Sequence, residues 1–258
     1  MDKRPIGVFD SGLGGLTVVK EIIKLLPYEN IIYLGDTARV PYGTRGVETI
    51  RKFSEENVKF LLKKNVKCIV IACHTSSAVA GKFLKDEFKK IPIFDVVSSV
   101  LNGLDDYKGK IGIIGTRALV RSGVYLKFKN IVQKACPLFV SFIEEGEIKG
   151  DLIDRLAEKY LRKIKVEKLV LACTHYPIIE RIIQRQVGKK AQLINPGVAL
   201  ANDLKKHLEK ENFLNGSKSN GKREFFVTDL NDRFIQVAEM FLGEKLDGRI
   251  EKVSIDKI

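Results

Sequence analysis

Two short, largely apolar runs stand out along the chain, and they are nearly the same run. Val66-Lys67-Cys68-Ile69-Val70-Ile71-Ala72-Cys73 is matched by Val166-Glu167-Lys168-Leu169-Val170-Leu171-Ala172-Cys173, an offset of 100 residues. Aliphatic and β-branched runs of this length, without polar alternation, are the pattern of strands buried on both faces of a parallel sheet. Each run ends in a cysteine followed by a polar triplet, His74-Thr75-Ser76 or Thr174-His175-Tyr176, and then by a helical pattern. Open α/β folds bind ligands outside the carboxyl ends of their strands. A thiol at each of those ends predicts two halves that face each other across one cleft.

The remaining pattern fills in both halves. Ile6 to Phe9 predicts a first strand, Asp10-Ser11-Gly12-Leu13-Gly14-Gly15 a turn, and the spacing of Leu16, Val19, Ile22, Ile23 and Leu26 a helix that Pro27 ends. The glycine-rich turn has neither the dinucleotide spacing nor a P-loop lysine. Its glycines instead allow a small polar ligand to approach Asp10 and Ser11. Ile31 to Leu34 predicts a second strand, and the polar stretch from Gly35 to Gly43 a loop that forms a ligand wall beside the first cysteine. Helices over 47–63 and 77–89 and a short strand over 92–94 complete the first half. In the second half Lys110 to Thr116 echoes Pro5 to Ser11, with Gly115-Thr116 opposite Asp10-Ser11. Pro137 to Ser141 predicts a strand ending near Glu144, followed by a helix over 149–164 and a strand over 191–194. Asn195-Pro196 starts a helix with His207 in its last turn, where a histidine suits a helix C-terminus. Asn212 to Arg223 predicts a flexible loop. A strand over 225–228 and a helix over 231–242 return to the first half. The expected architecture is α/β: two pseudo-symmetric three-layer domains with mainly parallel sheets, comprising 1–94 plus 206–258 and 95–205, with the active site between them.

Composition narrows the function classes. At 258 residues and 45% apolar, the chain can bury two small cores. No apolar run approaches the 18 residues or so that a membrane helix needs, and the N-terminus lacks a signal peptide's apolar core, so a cytoplasmic protein is expected. The four cysteines do not suggest a disulfide framework in such a chain. The net charge of +13 raises nucleic acid as a partner. However, the lysines are spread along every predicted helix among acidic residues, with no arginine-rich run and no aromatic platform, so nucleic-acid binding is not expected as the main role.

Four readings of Cys73 and Cys173 remain open on residue chemistry alone. They could be buried thiols that merely pack. They could join His74 and His175 on zinc, although Cys73 and His74 are adjacent and neighbours in an extended chain point to opposite faces. They could form a redox pair, if close enough to bridge. Or they could be paired acid-base catalysts, one sulfur removing a proton from a carbon while the other returns one to the opposite face, with inversion of the centre. No lysine stands out as a cofactor anchor, so this last reading needs positioned dipoles to stabilise a carbanion-like state. No metal or cofactor is expected.

The motifs Phe9-Asp-Ser-Gly-Leu-Gly-Gly-Leu16, Tyr33-Leu-Gly-Asp-Thr-Ala-Arg-Val-Pro-Tyr-Gly43, Cys136-Pro-Leu-Phe-Val140 and Cys173-Thr-His-Tyr-Pro177 resemble those of glutamate racemases, over essentially the whole chain. That resemblance implies two pseudo-symmetric α/β domains with glutamate bound between them and no cofactor. It implies that Cys73 deprotonates D-glutamate and Cys173 deprotonates L-glutamate, with Asp10, His175 and Glu144 assisting the thiols. Substrate contacts would come from Asp10, Ser11, Pro41, Tyr42, Gly43, His74, Thr75, Thr116, Thr174 and His175. It further implies a homodimer and a supply of D-glutamate for peptidoglycan. Related aspartate racemases usually carry Glu where His175 stands, which favours glutamate.

Several positions depart from the family pattern. The first cysteine is usually followed by Asn, whose planar amide helps hold the substrate's head group; here it is His74, which is larger and can be cationic. Leu119 stands where a substrate-facing Thr is usual, Ser98-Ser99 replaces an acidic-Pro pair, and Pro196 replaces a common Ser. None is a paired thiol, so they bear on substrate identity and turnover. The alternatives are therefore a racemase of another acidic or polar amino acid with the same mechanism, or a non-catalytic relative that binds DNA gyrase.

Overall fold

The computed structural model describes residues 1–230, 233–246 and 248–255. Two parallel sheets organise them. The first carries β1 (Ile6–Asp10), β2 (Ile31–Gly35), β3 (Cys68–Ile71) and β4 (Ile93–Asp95), joined late in the chain by β9 (Arg223–Val227) and β10 (Arg249–Lys252). Its strand order is β10-β9-β2-β1-β3-β4. The second contains β5 (Ile111–Gly115), β6 (Ile131–Ala135), β7 (Lys168–Ala172) and β8 (Gln192–Ile194), in the order β6-β5-β7-β8. The four strands β2-β1-β3-β4 and β6-β5-β7-β8 follow the same path, and even their register agrees: Ile6 pairs with Cys68 as Ile111 pairs with Lys168. The repeat seen in sequence is thus a repeat of topology.

The apolar runs are buried on both sides, as continuous hydrophobicity requires. In the first sheet Ile6, Val8 and Val70 face α1 (Leu16–Leu25), while Phe9, Ile69 and Ile71 face α2 (Val47–Lys63) and α3 (His74–Glu87). In the second, Leu169 and Leu171 pack with α6 (Leu138–Glu144), α7 (Asp151–Leu161) and α8 (Glu180–Val187). Its Val170 and Ala172 pack with α4 (Val96–Gly103) and α5 (Arg117–Ser122). Each fully buried aliphatic side chain here contributes about 1.5–3 kcal/mol of transfer free energy. Helix α9 (Pro196–Lys210) adds Leu200, Leu204 and Leu208 to the cluster containing α1 and the second-sheet helices, so one core runs from half to half. Its His207 lies in the last turn and packs edge-on against Phe94.

Two local expectations need correction. Pro137 to Ser141 is not a strand. Pro137 occupies the cap of α6, and Phe139 and Ile143, one turn apart, carry its buried face. The strand of this unit is β6, which sits at the sheet edge and is only partly buried, so its polar Gln133 and Lys134 give no apolar run. Helix α3 starts at His74 rather than Ser77, because Cys73 caps it. The helix α4 was not anticipated; Asp95 caps it, accepting from Ser98 N at 2.8 Å. The stretch around 212–222 is irregular but pinned, with Asn215 N donating to Glu29 Oε1 at 2.7 Å and Lys222 N to Asn30 Oδ1 at 2.8 Å. The last helix, α10, spans Phe234–Leu242, and residues 231 and 232 of its expected start lie outside the described residues. Among the described residues no helix is long and apolar enough to cross a membrane.

Candidate active site

Both sheets turn the same corner. The chain order reverses at β1/β3 and at β5/β7, and such switch points are where open α/β sheets leave a crevice beyond their strand ends. The first crevice receives Asp10 at the end of β1, Ser11 just after it and Cys73 just after β3. The second receives Thr116 after β5 and Cys173 after β7. Both thiols are free, and both line one cavity of 210 Å³. Ser11, His74, Thr75, Thr116, Thr174 and His175 line it too, and the loop after β2 brings Pro41, Tyr42 and Gly43 to its wall. Thr75 Oγ1 and Thr116 Oγ1 lie 3.0 Å apart, linking the halves beside the cavity.

Close approach between the halves depends on two glycines. A Cβ on Gly14 would lie 2.4 Å from Thr174 Oγ1 and 2.6 Å from His175 Nδ1, and a Cβ on Gly43 would lie 2.9 Å from Thr116 Cβ. The wall loop is held from behind. Tyr42 donates its hydroxyl to the buried Asp36 and receives Asn57 Nδ2 at 3.1 Å, while Asp36 also accepts from Arg39 and Thr228.

The two thiols sit in different surroundings. Cys73 Sγ accepts from Ser76 N at 3.5 Å at the head of α3 and lies 3.5 Å from Ser11 Oγ. Burial, reinforced by the nearby Asp10 carboxylate, pushes this thiol up to about 11. Asp10 is fully buried; Gly12 N donates to its Oδ2 at 3.1 Å and its Oδ1 has no partner. Burial raises its pKa against the opposing pull of His175 and of backbone N–H groups. Cys173 Sγ instead faces His175 Nδ1 at 3.8 Å, and His175 Nε2 lies 2.9 Å from Glu144 Oε1. Burial alone would lower the His175 imidazole, but its bonds with Cys173 and Glu144 outweigh that and push it up to about 10. Asp10 and Glu144 thus stand behind the lining residues, one toward each thiol.

His74, which could be cationic, is held neutral by its surroundings. It is buried, with neither ring nitrogen hydrogen-bonded, and burial pushes it down to about 3, so it is a neutral imidazole rather than a cation. Leu119 is fully buried and packs in the core of the second sheet instead of reaching the cavity. Ser98 and Pro196 do local structural work: Ser98 Oγ donates to Asp95, and Pro196 opens α9 behind its cap Asn195. The lining residues that sequence reasoning missed are Val40, Thr44, Arg117 and the α6 residues Leu138, Val140 and Ser141, with Pro137. Arg117 directly follows the Thr116 match, and α6 was hidden by its reading as a strand.

A family model for Asp/Glu/hydantoin racemases matches residues 6–204. The chain belongs to that family. This racemase is 42% identical to the glutamate racemase of Thermoanaerobacter pseudethanolicus over 269 aligned positions, covering 100% of both chains. Its fold is similar to that of glutamate racemase from Francisella tularensis in complex with D-glutamate, with a TM-score of 0.93 and 40% identity over 100% of both chains. The Thermus thermophilus glutamate racemase in complex with β-chloro-D-alanine gives a TM-score of 0.92 at 38% identity, again over 100% of both chains. The protein is thus an isomerase built on the two-sheet α/β arrangement of those enzymes.

Proposed function

We propose that this racemase interconverts L- and D-glutamate without a cofactor, using Cys73 and Cys173 as paired acid and base on opposite sides of the α-carbon. The observation that carries this reading is that two free thiols, each just beyond the end of an equivalent strand, line one cavity of 210 Å³. A cavity of that size suits a small amino acid better than a drug-sized ligand, which needs at least about 300 Å³. In the L-to-D direction Cys173 takes the α-proton and Cys73 gives its own proton to the opposite face. In the reverse direction the roles exchange. Burial and Asp10 favour the protonated form of Cys73 in the free enzyme, so Cys73 is ready as the acid. His175, carrying a proton up to about pH 10, supports Cys173, and Glu144 positions His175. The carbanion-like state would be stabilised by the backbone N–H groups at the head of α3 and by the hydroxyls of Ser11, Thr75, Thr116 and Thr174. The D-glutamate product would feed peptidoglycan synthesis in the cytoplasm, and the working form would be a homodimer; a monomer mass by light scattering would contradict the latter.

The test follows the circular dichroism of pure L-glutamate. Decay to zero ellipticity is expected, and an unchanged signal at high enzyme concentration would refute the reading. A second reading, racemisation of another acidic or polar amino acid, is favoured by one observation: the two unpartnered nitrogens of buried His74. The same assay over a panel of amino acids separates the two.

A further inference from the structure

The cavity is lined by hydroxyls, thiols, two imidazoles and apolar groups, and no Asp or Glu is among its lining residues. Arg117 is the one arginine or lysine among its lining residues. The other cation there, His175, already has both nitrogens engaged by Cys173 and Glu144. Arg117 does not. It is exposed at the start of α5 and makes no hydrogen bond or ion pair among the described residues. From α5 only Arg117 lines the cavity, immediately after its cap Thr116, since Leu119 is turned into the core.

We propose that Arg117 selects an acidic over a neutral substrate side chain by pairing with the distal carboxylate. This rests on the glutamate reading above. Hydroxyls and neutral imidazoles can donate to a carboxamide oxygen as they do to a carboxylate, and gain only from the charge of the acceptor. A guanidinium with no other partner among the described residues discriminates more sharply, since it adds its own charge and can form two parallel N–H···O bonds to a carboxylate that a carboxamide cannot match.

The test measures KM and kcat for L-glutamate, and the inhibition constant of L-glutamine, in wild type, Arg117→Gln and Arg117→Lys. Arg117→Gln should raise the glutamate KM by about ten- to a hundred-fold with little change in kcat, and leave glutamine inhibition unchanged or tighter. Arg117→Lys should restore most of the lost affinity. The melting temperature should not move, because the side chain holds no other bond among the described residues. An unchanged glutamate KM, or an equal shift for glutamate and glutamine, would overturn the assignment. If wild type does not racemise glutamate, that reading fails separately. Calorimetric binding of glutamate against glutamine then decides the charge selection: equal affinities in wild type, or a preference for glutamate that survives Arg117→Gln, would overturn it.

Discussion

Glu144 Oε1 lies 2.9 Å from His175 Nε2, on the far side of an imidazole whose Nδ1 faces the Cys173 sulfur. Glu144 is one of the two partners that hold the His175 proton up to about pH 10. Glu144→Gln keeps the side chain's shape and removes its charge, so His175 should lose its proton at lower pH. L- and D-glutamate have equal free energy, so kcat/KM in the two directions must follow one pH profile. In wild type that profile should fall as pH rises through about 10, and in Glu144→Gln the falling limb should move to lower pH. At pH 8 the loss should be about tenfold, well short of the 10²–10⁴ attributed to a general acid or base itself. An unmoved limb would show that Glu144 does not act through His175.

Gly14 marks how closely the halves approach. With the new methyl group 2.4 Å from Thr174 Oγ1 and 2.6 Å from His175 Nδ1, Gly14→Ala must displace the Thr174 hydroxyl and the His175 ring that faces Cys173. A shift of about 1 Å at a reacting group costs roughly a hundredfold in rate, so kcat should fall by about that factor while far-UV circular dichroism stays native. Full activity in the variant would mean that this approach does not set the catalytic geometry.

His74 should show a conflict between stability and activity. Its buried nitrogens are unpaired, and replacing an unsatisfied polar group by an apolar one of similar size is neutral or stabilising. His74→Leu should therefore raise the unfolding free energy of the free enzyme by about 1 kcal/mol. If those nitrogens wait for substrate, the KM for glutamate rises at the same time. A destabilised variant with unchanged KM would show that the imidazole serves packing.

How much of this was legible in the sequence follows from burial. β3 and β7 lie inside their sheets, so their apolar runs are uninterrupted and the thiols just beyond them could be placed at one cleft. β6 lies at an edge, where exposure allows Gln133 and Lys134 and erases the pattern. Leu138-Phe139-Val140 is too short for its period to separate helix from strand, and only the burial of Phe139 and Ile143 one turn apart decides it. β10 joins the sheet through parallel pairing with β9, a contact no local pattern announces. The charge state of His74 depends on surroundings drawn from the whole fold. Resemblance supplied what residue chemistry left open, namely the choice among four readings of the cysteine pair.

Away from the cleft, Lys67 provides a stability test. At the N-terminal end of β3 its buried ammonium pairs with Glu29 and donates to Asp2 O at 3.0 Å and Phe213 O at 2.7 Å. Removing one partner of a buried pair strands the other charge. Lys67→Met should cost about 3–5 kcal/mol in urea unfolding, with much of that returned when Glu29→Gln is added. A cost below about 1 kcal/mol would show that the pair is dispensable.

The central claim is that the thiols serve opposite enantiomers, and one measurement reaches it directly. An analogue of glutamate with a leaving group at the β-carbon needs only α-proton removal. Loss of the leaving group then gives an enamine, which hydrolyses to a 2-oxo acid and ammonia. Serine is a far weaker base than cysteine at either position, so racemisation should be abolished in both Cys73→Ser and Cys173→Ser, because each direction requires both groups. Elimination should survive in halves: from the L-analogue in Cys73→Ser, through Cys173, and from the D-analogue in Cys173→Ser, through Cys73. Elimination from both enantiomers at equal rates in either variant, or normal racemisation in both, would contradict the two-thiol account.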